Sequence, residues 1–278
     1  MQRPDLIHAS LEHLRPLERV QLALVRKTFE APGLGGALQW LQHSIGTRWI
    51  RFATGNLHHV HHLDRLPKPK AKDSYILVCN HRSFFDLFVV IPQLMRHGLT
   101  QRIVFPVRSN FFYDSPLGLA VNGAMSFFAM YPPIFRDRQR SALNRLGLEE
   151  LIWLLRQGGY LVGFHPEGTR NKRDPYQLLP ARTGVGRLIR HARVPVIPVF
   201  TNGLLPDDLK RQVVSNFDAS GTPIHTVFGS PIDFGDLLEL EPNQSTYKRI
   251  ANRTREVLLQ LGAEERELRA LHAARTCL

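Results

Sequence analysis

From Ser74 onward, short apolar runs rich in β-branched residues alternate with longer segments whose apolar residues recur every three or four positions. The apolar runs are SYILVC, RIVFPV, GYLVGF, VPVIPVF and IHTVFG. Runs of this length predict strands, and a period near 3.6 residues between them predicts helices. Alternation of strands and helices is typical of a mostly parallel sheet flanked by helices, so the sequence predicts an α/β fold.

The ends of the chain carry helical patterns instead. In the N-terminal segment, apolar residues recur at helical spacing between Leu34 and Phe52 as one stripe, with Trp40 beside it and Arg48 and Arg51 near its end. Such a face can lie in a membrane interface, or it can pack on its own domain, and the pattern alone favours packing. Residues 245–275 predict a charged C-terminal helix, in which Gly262 is the expected point of any break.

These patterns predict three consecutive segments. Residues 1–60 form an N-terminal helical segment, residues 61–240 the α/β domain, and residues 241–278 the C-terminal helix. No run reaches the roughly 20 apolar residues of a membrane-spanning helix. The N-terminus also lacks the continuous apolar core of a secretory signal.

The charge of the chain narrows the classes of partner. Lys and Arg number 36 against 24 Asp and Glu, which gives a formal net charge of +12. Such an excess points to nucleic acid, anionic lipid headgroups or phosphorylated small molecules. Nucleic acid is disfavoured, because neither aromatic–basic interleaving nor a base-reading helix stands out. Cys79 and Cys277, far apart in sequence, form no disulfide framework or metal-ligand spacing, which fits a reducing compartment.

Four histidines at positions 58, 59, 61 and 62 suggest a metal site as one alternative. No cysteine or carboxylate cluster accompanies them at a recognised ligand spacing. We therefore favour a short strand followed by a basic, proline-rich loop, and we predict no metal ion.

Two polar clusters follow predicted strands. His81 comes just after SYILVC, with Asp86 five residues later, and HPEGTRN follows GYLVGF. Ligands of such sheets bind beyond the carboxyl ends of the strands, so we expect the clusters at one edge. A histidine there can be a general base if a carboxylate fixes its second ring nitrogen. The alternative is structural: Ser83 caps a helix, and Asp86 lies in its first turn.

The remaining motifs suggest which groups react. No G-x-S-x-G, P-loop or G-x-G-x-x-G after a strand is present, so a His–Asp pair would act on a hydroxyl that the substrate supplies. The segment IFRDRQR offers three arginines, at positions 136, 138 and 140, although a solvated basic loop is the simpler interpretation. Arg170 and the amides around Gly168 are suited to binding phosphate.

The motifs NHRSFFD, IFRDR, PEGTR and VPVIPV occur in this order between about residues 74 and 232. In this the chain resembles the glycerolipid acyltransferase family, typified by lysophosphatidic acid acyltransferases. The resemblance implies that His81 is the catalytic base and Asp86 its partner. It also implies an acceptor-binding set that consists of Arg138, Glu167, Gly168, Thr169 and Arg170. The chain departs from the family at His165, where a phenylalanine is usual, and at YPP, where the second motif commonly has a glycine.

The resemblance implies transfer of a fatty acyl group from acyl-CoA or acyl-carrier protein to a lysophospholipid hydroxyl, as in 1-acylglycerol-3-phosphate, during phospholipid biosynthesis. Neither cofactor nor metal is expected, and the enzyme should be peripheral or monotopic at the cytoplasmic face of a membrane with an anionic surface. A lipid substrate also favours a membrane-interfacial helix within residues 1–60 over packing alone. Because a carboxylate repels phosphate, Glu167 should orient Arg170 or its loop, or bind an acceptor hydroxyl.

Two alternatives remain. The acceptor could be another hydroxyl compound, such as a lyso-aminolipid, a sterol-like alcohol or glycerol. The chain could also be a non-catalytic membrane-binding protein on the same scaffold, but the presence of both His81 and Asp86 argues against this.

Overall fold

The structure, a computed structural model, describes residues 3–4, 13–205, 208–218 and 220–276, without the side chains of residues 32, 111, 138, 209 and 276. Cys277 and most of the first twelve residues of the predicted N-terminal helical segment lie outside this part. The chain divides into two compact units. The first contains Met1–Gly46, Ala71–Ser74 and Thr100–Gly163, and the second contains Thr47–Lys70, Tyr75–Leu99 and Phe164–Leu278.

These units interleave along the sequence, whereas the predicted segments are consecutive. In chain order the elements are α1 (Pro16–Glu30), α2 (Pro32–Leu41), α3 (Thr47–Thr54), β1 (His58–His61), β2 (Tyr75–Cys79), α4 (Asp86–Arg96), β3 (Arg102–Arg108), α5 (Ser109–Phe112), α6 (Pro116–Ser126), β4 (Met130–Ile134), α7 (Ser141–Gln157), β5 (Tyr160–Phe164), α8 (Thr183–Ala192), β6 (Val196–Asn202), α9 (Leu209–Asp218), β7 (Ile224–Phe228) and α10 (Gln244–Thr276). All five apolar runs named above form strands.

In the first unit, β3 lies between β5 and β4 and pairs with both in parallel. β4 has the sequence MYPPI, and it is not among the five apolar runs named above because its two prolines are atypical of a strand. The buried amide of Gln42 joins the helical segment to this sheet. It donates to the Ile103 carbonyl at 3.3 Å and accepts the Ile103 amide at 3.0 Å.

In the second unit, the strands lie in the order β1, β7, β6, β2. β1 pairs with β7 in parallel and β2 with β6 in parallel, while β6 and β7 are antiparallel. Helices accompany the strands of both units, so the predicted α/β class with a mostly parallel sheet and an N-terminal helical segment is confirmed.

The C-terminal helix α10 is continuous through Gly262, so no break occurs there. Glycine is required at this position by packing. A Cβ on Gly262 would lie 2.9 Å from the ring of Phe200, and one on Gly186 of α8 would lie 1.9 Å from the Tyr247 carbonyl oxygen. Two glycines thus allow α10 to approach β6 and α8 closely, over a core that includes Leu258 and Leu261.

The predicted single stripe over residues 34–52 is not one buried face. Leu38 is buried, Leu41 and Trp49 are half-buried, and Leu34, Ile45 and Phe52 are exposed. Because Leu34 and Leu38 both lie on α2, the stripe mixes exposed and buried positions within a single helix. A π-helical turn over Gln42–Gly46 follows α2. Among the described helices, none is both long and apolar enough to cross a membrane.

Candidate active site

The site begins where β2 ends. Asn80, the next residue after the strand, is fully buried and bonds the backbone of Thr201 in β6 twice. Its Nδ2 donates to the Thr201 carbonyl at 2.9 Å, and its Oδ1 accepts the Thr201 amide at 2.8 Å. This anchor fixes the direction in which the chain leaves the sheet. The sequence analysis did not identify Asn80, although a polar residue at the end of a buried strand is a signal for such a role.

The chain then turns so that His81 meets Asp86. The Nδ1 atom of His81 lies 3.2 Å from Asp86 Oδ2, and the Asp86 side chain is fully buried while that of His81 is 20% exposed. Asp86 is the first residue of α4, and its Oδ2 also accepts the amides of Arg82 at 2.7 Å and Ser83 at 2.9 Å. One carboxylate oxygen therefore holds both the turn and the imidazole.

Ser83 does not cap the helix as expected. No side chain caps α4, which begins three residues later than Ser83. The Ser83 hydroxyl accepts the Phe85 amide at 3.3 Å and donates to the Leu205 carbonyl at 3.4 Å. The Asp86 side chain takes the amides of the turn instead, because a carboxylate is the stronger acceptor.

The second polar cluster holds the backbone of His81. Both oxygens of Glu167 accept backbone amides, Oε1 from His81 at 2.9 Å and Oε2 from Leu179 at 2.8 Å. The Asn171 amide donates to the His81 carbonyl at 2.8 Å. Glu167 is 2% exposed, so its carboxylate joins the two loops within the protein. Asn171, which the sequence analysis did not identify, belongs to the same network.

Gly168, Thr169 and Arg170 continue this loop. Gly168 has a φ of +65°, a left-handed conformation that favours glycine, and its amide closes a turn to the His165 carbonyl at 3.0 Å. Thr169 and Arg170 are half-buried. The guanidinium of Arg82 supports the same loop by donating to the Asn171 carbonyl at 2.7 Å. The structure thus brings PEGTR and NHRSFFD together in the second unit.

His165, the departure from the family pattern, stacks on His81. Their ring centroids are 3.8 Å apart with an interplanar angle of 10°. His165 Nδ1 lies 3.0 Å from the Cys79 carbonyl, to which it donates. Burial, with repulsion from His81, lowers the pKa of His165 to about 3. The ring is therefore neutral at physiological pH and covers one face of His81.

Burial also shifts the two carboxylates. It raises the pKa of Asp86 to about 6, although His165, the amides of Ser83 and Arg82 and the charge of Arg82 oppose the shift. It raises the pKa of Glu167 as well, against the amides of Leu179 and His81. One oxygen of Asp86, Oδ1, is buried without a hydrogen-bond partner among the described residues. Perturbed groups of this kind concentrate at functional sites.

The second motif lies in the first unit, and its arginines differ. Arg136 is exposed, and Arg138 begins a short 3₁₀ turn, with its side chain outside the described part. Arg140 pairs with the buried Glu18 of α1 at 3.0 Å and lies over the ring of Phe135. Its contacts join α1 to the start of α7. The predicted role of Arg138 stays a prediction.

His81, Asp86 and His165 are also close enough to share a metal ion, since one ligand atom of each lies within 4.8 Å of the others. The hydrogen bond of His81 Nδ1 to Asp86, however, is the arrangement that orients a general base, because it fixes which nitrogen carries the proton.

Comparison with known proteins identifies the family. The family model described as Acyltransferase matches residues 58–202, just over half of the 278 residues. The chain belongs to the acyltransferase family. The matched region of this acyltransferase-family chain includes His81, Asp86 and the loop from His165 to Arg170.

One curated relative is the 1-acyl-sn-glycerol-3-phosphate acyltransferase of Saccharomyces cerevisiae, 25% identical over 160 residues. The match covers 57% of the acyltransferase-family chain but only 44% of the yeast protein. Among solved structures, the 1-acyl-sn-glycerophosphate (LPA) acyltransferase PlsC from Thermotoga maritima is similar with a TM-score of 0.49 and 18% identity, over 93% of this chain and 86% of that one.

Proposed function

We propose that the protein transfers a fatty acyl group from a thioester donor, acyl-CoA or acyl-carrier protein, to the hydroxyl of a lysophospholipid such as 1-acylglycerol-3-phosphate. The hydrogen bond between His81 Nδ1 and the buried Asp86 carboxylate carries this proposal. It leaves Nε2 as the nitrogen for proton transfer. A role in phospholipid biosynthesis follows from this acceptor.

In the proposed reaction, His81 Nε2 takes the proton of the acceptor hydroxyl as its oxygen attacks the thioester carbonyl. The tetrahedral intermediate collapses as the carbon–sulfur bond breaks, and the imidazolium returns the proton to the leaving thiolate. Asp86 accepts the hydrogen bond from Nδ1–H throughout, and it stabilises the positive charge that forms on the ring. The products are the acylated lipid and the free thiol, so electrons and protons balance without an oxidant or metal.

The loop from Glu167 to Arg170 has two proposed roles. Glu167 is a positioning residue, because its carboxylate binds the His81 amide and is almost fully buried. Arg170, with the amide and hydroxyl of Thr169, binds the acceptor phosphate, and Gly168 provides the left-handed turn that presents them. Charged hydrogen bonds from guanidinium groups suit this ligand. Arg138 is assigned to acceptor binding from its motif alone.

Peripheral association with an anionic membrane, at its cytoplasmic face, is part of the proposal. In the second unit, Phe52 of α3 and Phe217 of α9 are 65% and 55% exposed, with ring centroids 4.9 Å apart. Asn216 holds these helices by donating to the Phe52 carbonyl at 2.9 Å. The exposed cations Arg48 and Arg51 lie on the same short helix as Phe52. Exposed aromatic rings beside cations suit the headgroup region.

The direct test is an acyltransferase assay with labelled acyl-CoA and, separately, acyl-carrier protein, against a panel of acceptors. The panel contains 1-acylglycerol-3-phosphate, its dephosphorylated monoacylglycerol, and a lyso-aminolipid. We expect the highest kcat/KM with the phosphorylated acceptor. Equal turnover of the monoacylglycerol would contradict phosphate recognition, and turnover of none of them would contradict the proposed reaction.

A further inference from the structure

A second group of histidines lies in the same unit, at the edge strand β1. Successive side chains of a strand point to opposite faces, so His59 and His61 share one face of β1 and His58 lies on the other. His58 contacts Thr226 and Gln93. In the parallel pairing of β1 with β7, His59 is the partner of His225. The register therefore places three histidines side by side on one face.

Helix α10 adds a fourth. The ring of His272 is centred 4.1 Å from the ring of His59 and 5.4 Å from that of His225. One ring nitrogen of each of these three histidines lies within 4.8 Å of the other two. Three imidazoles from two strands and a helix thus converge, although they are far apart in the sequence.

The atoms of His225 distinguish this group from chance stacking. His225 is fully buried, and within the described part of the chain its Nε2 has no hydrogen-bond partner. Its Nδ1 lies 3.1 Å from His61 Nε2. A buried nitrogen without a partner is unfavourable unless a ligand satisfies it. If Nδ1 carries the proton and donates to His61, Nε2 presents a lone pair, which is the tautomer that a metal-binding histidine adopts.

We propose that His59, His225 and His272 bind a divalent transition metal ion of the zinc type, with His61 as the hydrogen-bond partner that orients His225. Three imidazole nitrogens are a common ligand set for zinc, and they also suit cobalt, nickel and copper. The ion would join the C-terminal end of α10 to β1 and β7. Nothing in the proposed acyl transfer requires it.

The geometry needs a small adjustment to hold the ion. Zinc–nitrogen bonds of about 2.0–2.1 Å place tetrahedral ligand atoms about 3.4 Å apart. Side-chain rotations at the half-exposed His59 and His272 can supply the difference, while His225 stays fixed in its strand.

Arg269 is a cation that acts on both His59 and His225, and its guanidinium is paired with the buried Glu265 at 2.6 Å. This pairing offsets part of the repulsion that Arg269 would exert on a bound metal ion.

The test uses the full chain without a polyhistidine tag, stripped with a chelator and then titrated with zinc or cobalt chloride. We expect one equivalent of high-affinity metal, the visible absorption of tetrahedral cobalt, and a rise in melting temperature with zinc. His272→Ala and His272→Gln should fold, because this side chain is half-buried near the end of α10. Each should weaken the affinity at least 100-fold and remove the thermal shift.

Two further variants separate this group from the active site and from adventitious binding. His61→Ala should weaken metal affinity roughly 10- to 100-fold, as loss of an orienting partner does. His13→Ala, which removes an exposed histidine, and His165→Phe, which alters the other possible metal group, should each keep the equivalent. Loss of binding in His165→Phe with retention in both His272 variants, or no zinc stabilisation of the wild type, would overturn the proposal.

Discussion

The second unit contains two groups of histidines that are built differently. At the end of β2, the backbone and Nδ1 of His81 are held by carboxylates, the former by Glu167 and the latter by Asp86. Beside β1, the group of His59, His225 and His272 contains imidazoles alone, and the buried Nε2 of His225 has no partner among the residues that the structure describes.

The difference shows how surroundings decide what a histidine can do. A carboxylate that accepts a hydrogen bond from Nδ1–H leaves the lone pair on the opposite nitrogen, which can then act as a base. It also stabilises the cation that forms on the ring, so this arrangement suits proton transfer. In the group of His59, His225 and His272, one nitrogen of each ring instead lies within 4.8 Å of the other two, and the buried Nε2 of His225 can offer a lone pair to a metal ion. We therefore assign general-base chemistry to the first group and metal binding to the second.

The largest expected effect is that of His81→Ala. Loss of the general base should lower kcat by up to about 10⁴-fold, while the melting temperature changes little because the backbone contacts of residue 81 remain. Turnover and thermal melting should be measured on the same preparation, with zinc titration as a third measurement. Near-wild-type turnover in a folded variant would remove His81 from the mechanism. Loss of zinc binding in this variant would mean that the two histidine groups are not distinct.

Asp86→Asn should lower kcat by on the order of 100-fold or more, because an amide in place of the carboxylate no longer selects the productive imidazole tautomer. Its oxygen can still accept the amides of Arg82 and Ser83, so stability should fall less than activity. The comparison of rate per folded molecule with unfolding free energy checks this. A variant that loses stability but keeps its rate would show that Asp86 only supports the turn.

Arg170→Ala should reduce kcat/KM for the phosphorylated acceptor roughly ten- to a hundredfold, since charged hydrogen bonds contribute about 1.5–3 kcal/mol. The KM of the acyl donor should change much less, and Arg170→Lys should restore activity only in part, because lysine lacks the bidentate fork. Two-substrate kinetics provide the measurement. A rise in donor KM instead would assign Arg170 to the phosphates of the donor.

Arg138→Ala tests the second motif in the same assay, and the exposed Arg136 provides the matched control. We expect Arg138→Ala to raise the acceptor KM and Arg136→Ala to leave it near the wild-type value. The opposite result would shift the motif assignment by two residues.

The smallest expected effect is a gradual change of kcat/KM with pH. Burial raises the pKa of Asp86 to about 6, so kcat/KM should fall up to about tenfold per unit below pH 6 as the His81–Asp86 pair takes up a proton. A raised carboxyl pKa means that the ionised form opposes folding. Protonated Asp86 therefore stabilises the folded state. This contribution to the free energy of unfolding is fully present below the ordinary pKa near 3.8, and it is lost as the pH rises through about 6.

Asp86→Asn removes this titration. The difference in unfolding free energy, variant minus wild type, should therefore be larger at pH 8 than at pH 5. Chemical denaturation of both proteins at the two pH values measures this difference. If the variant differs from the wild type by the same unfolding free energy at both pH values, Asp86 is ionised throughout this range in the folded wild type.

The sequence by itself predicted the class of fold, and it identified the residues of the first group. Apolar runs of strand length, alternating with helical periodicity, predicted the mostly parallel α/β architecture, because both patterns are local. In such sheets, functional polar residues lie at the ends of strands. His81 and Asp86 are close in sequence, which placed both within one strand–turn–helix connection. The family motifs then supplied the proposed role of each residue.

Only the tertiary structure decided how those residues are held. The hydrogen bonds that the His81 amide donates to Glu167, and Asn80 to the Thr201 carbonyl, join residues that are distant in sequence. The periodicity of apolar residues does not indicate such contacts. β4 escaped prediction because its prolines oppose strand propensity, which its sheet partner overrides.

The group of His59, His225 and His272 is the clearest case. The histidines near position 60 were visible in the sequence, but their neighbours come from β7 and α10. Strand register and helix packing, rather than any local spacing, brought those rings together, because both are set by the burial of apolar faces along the whole chain.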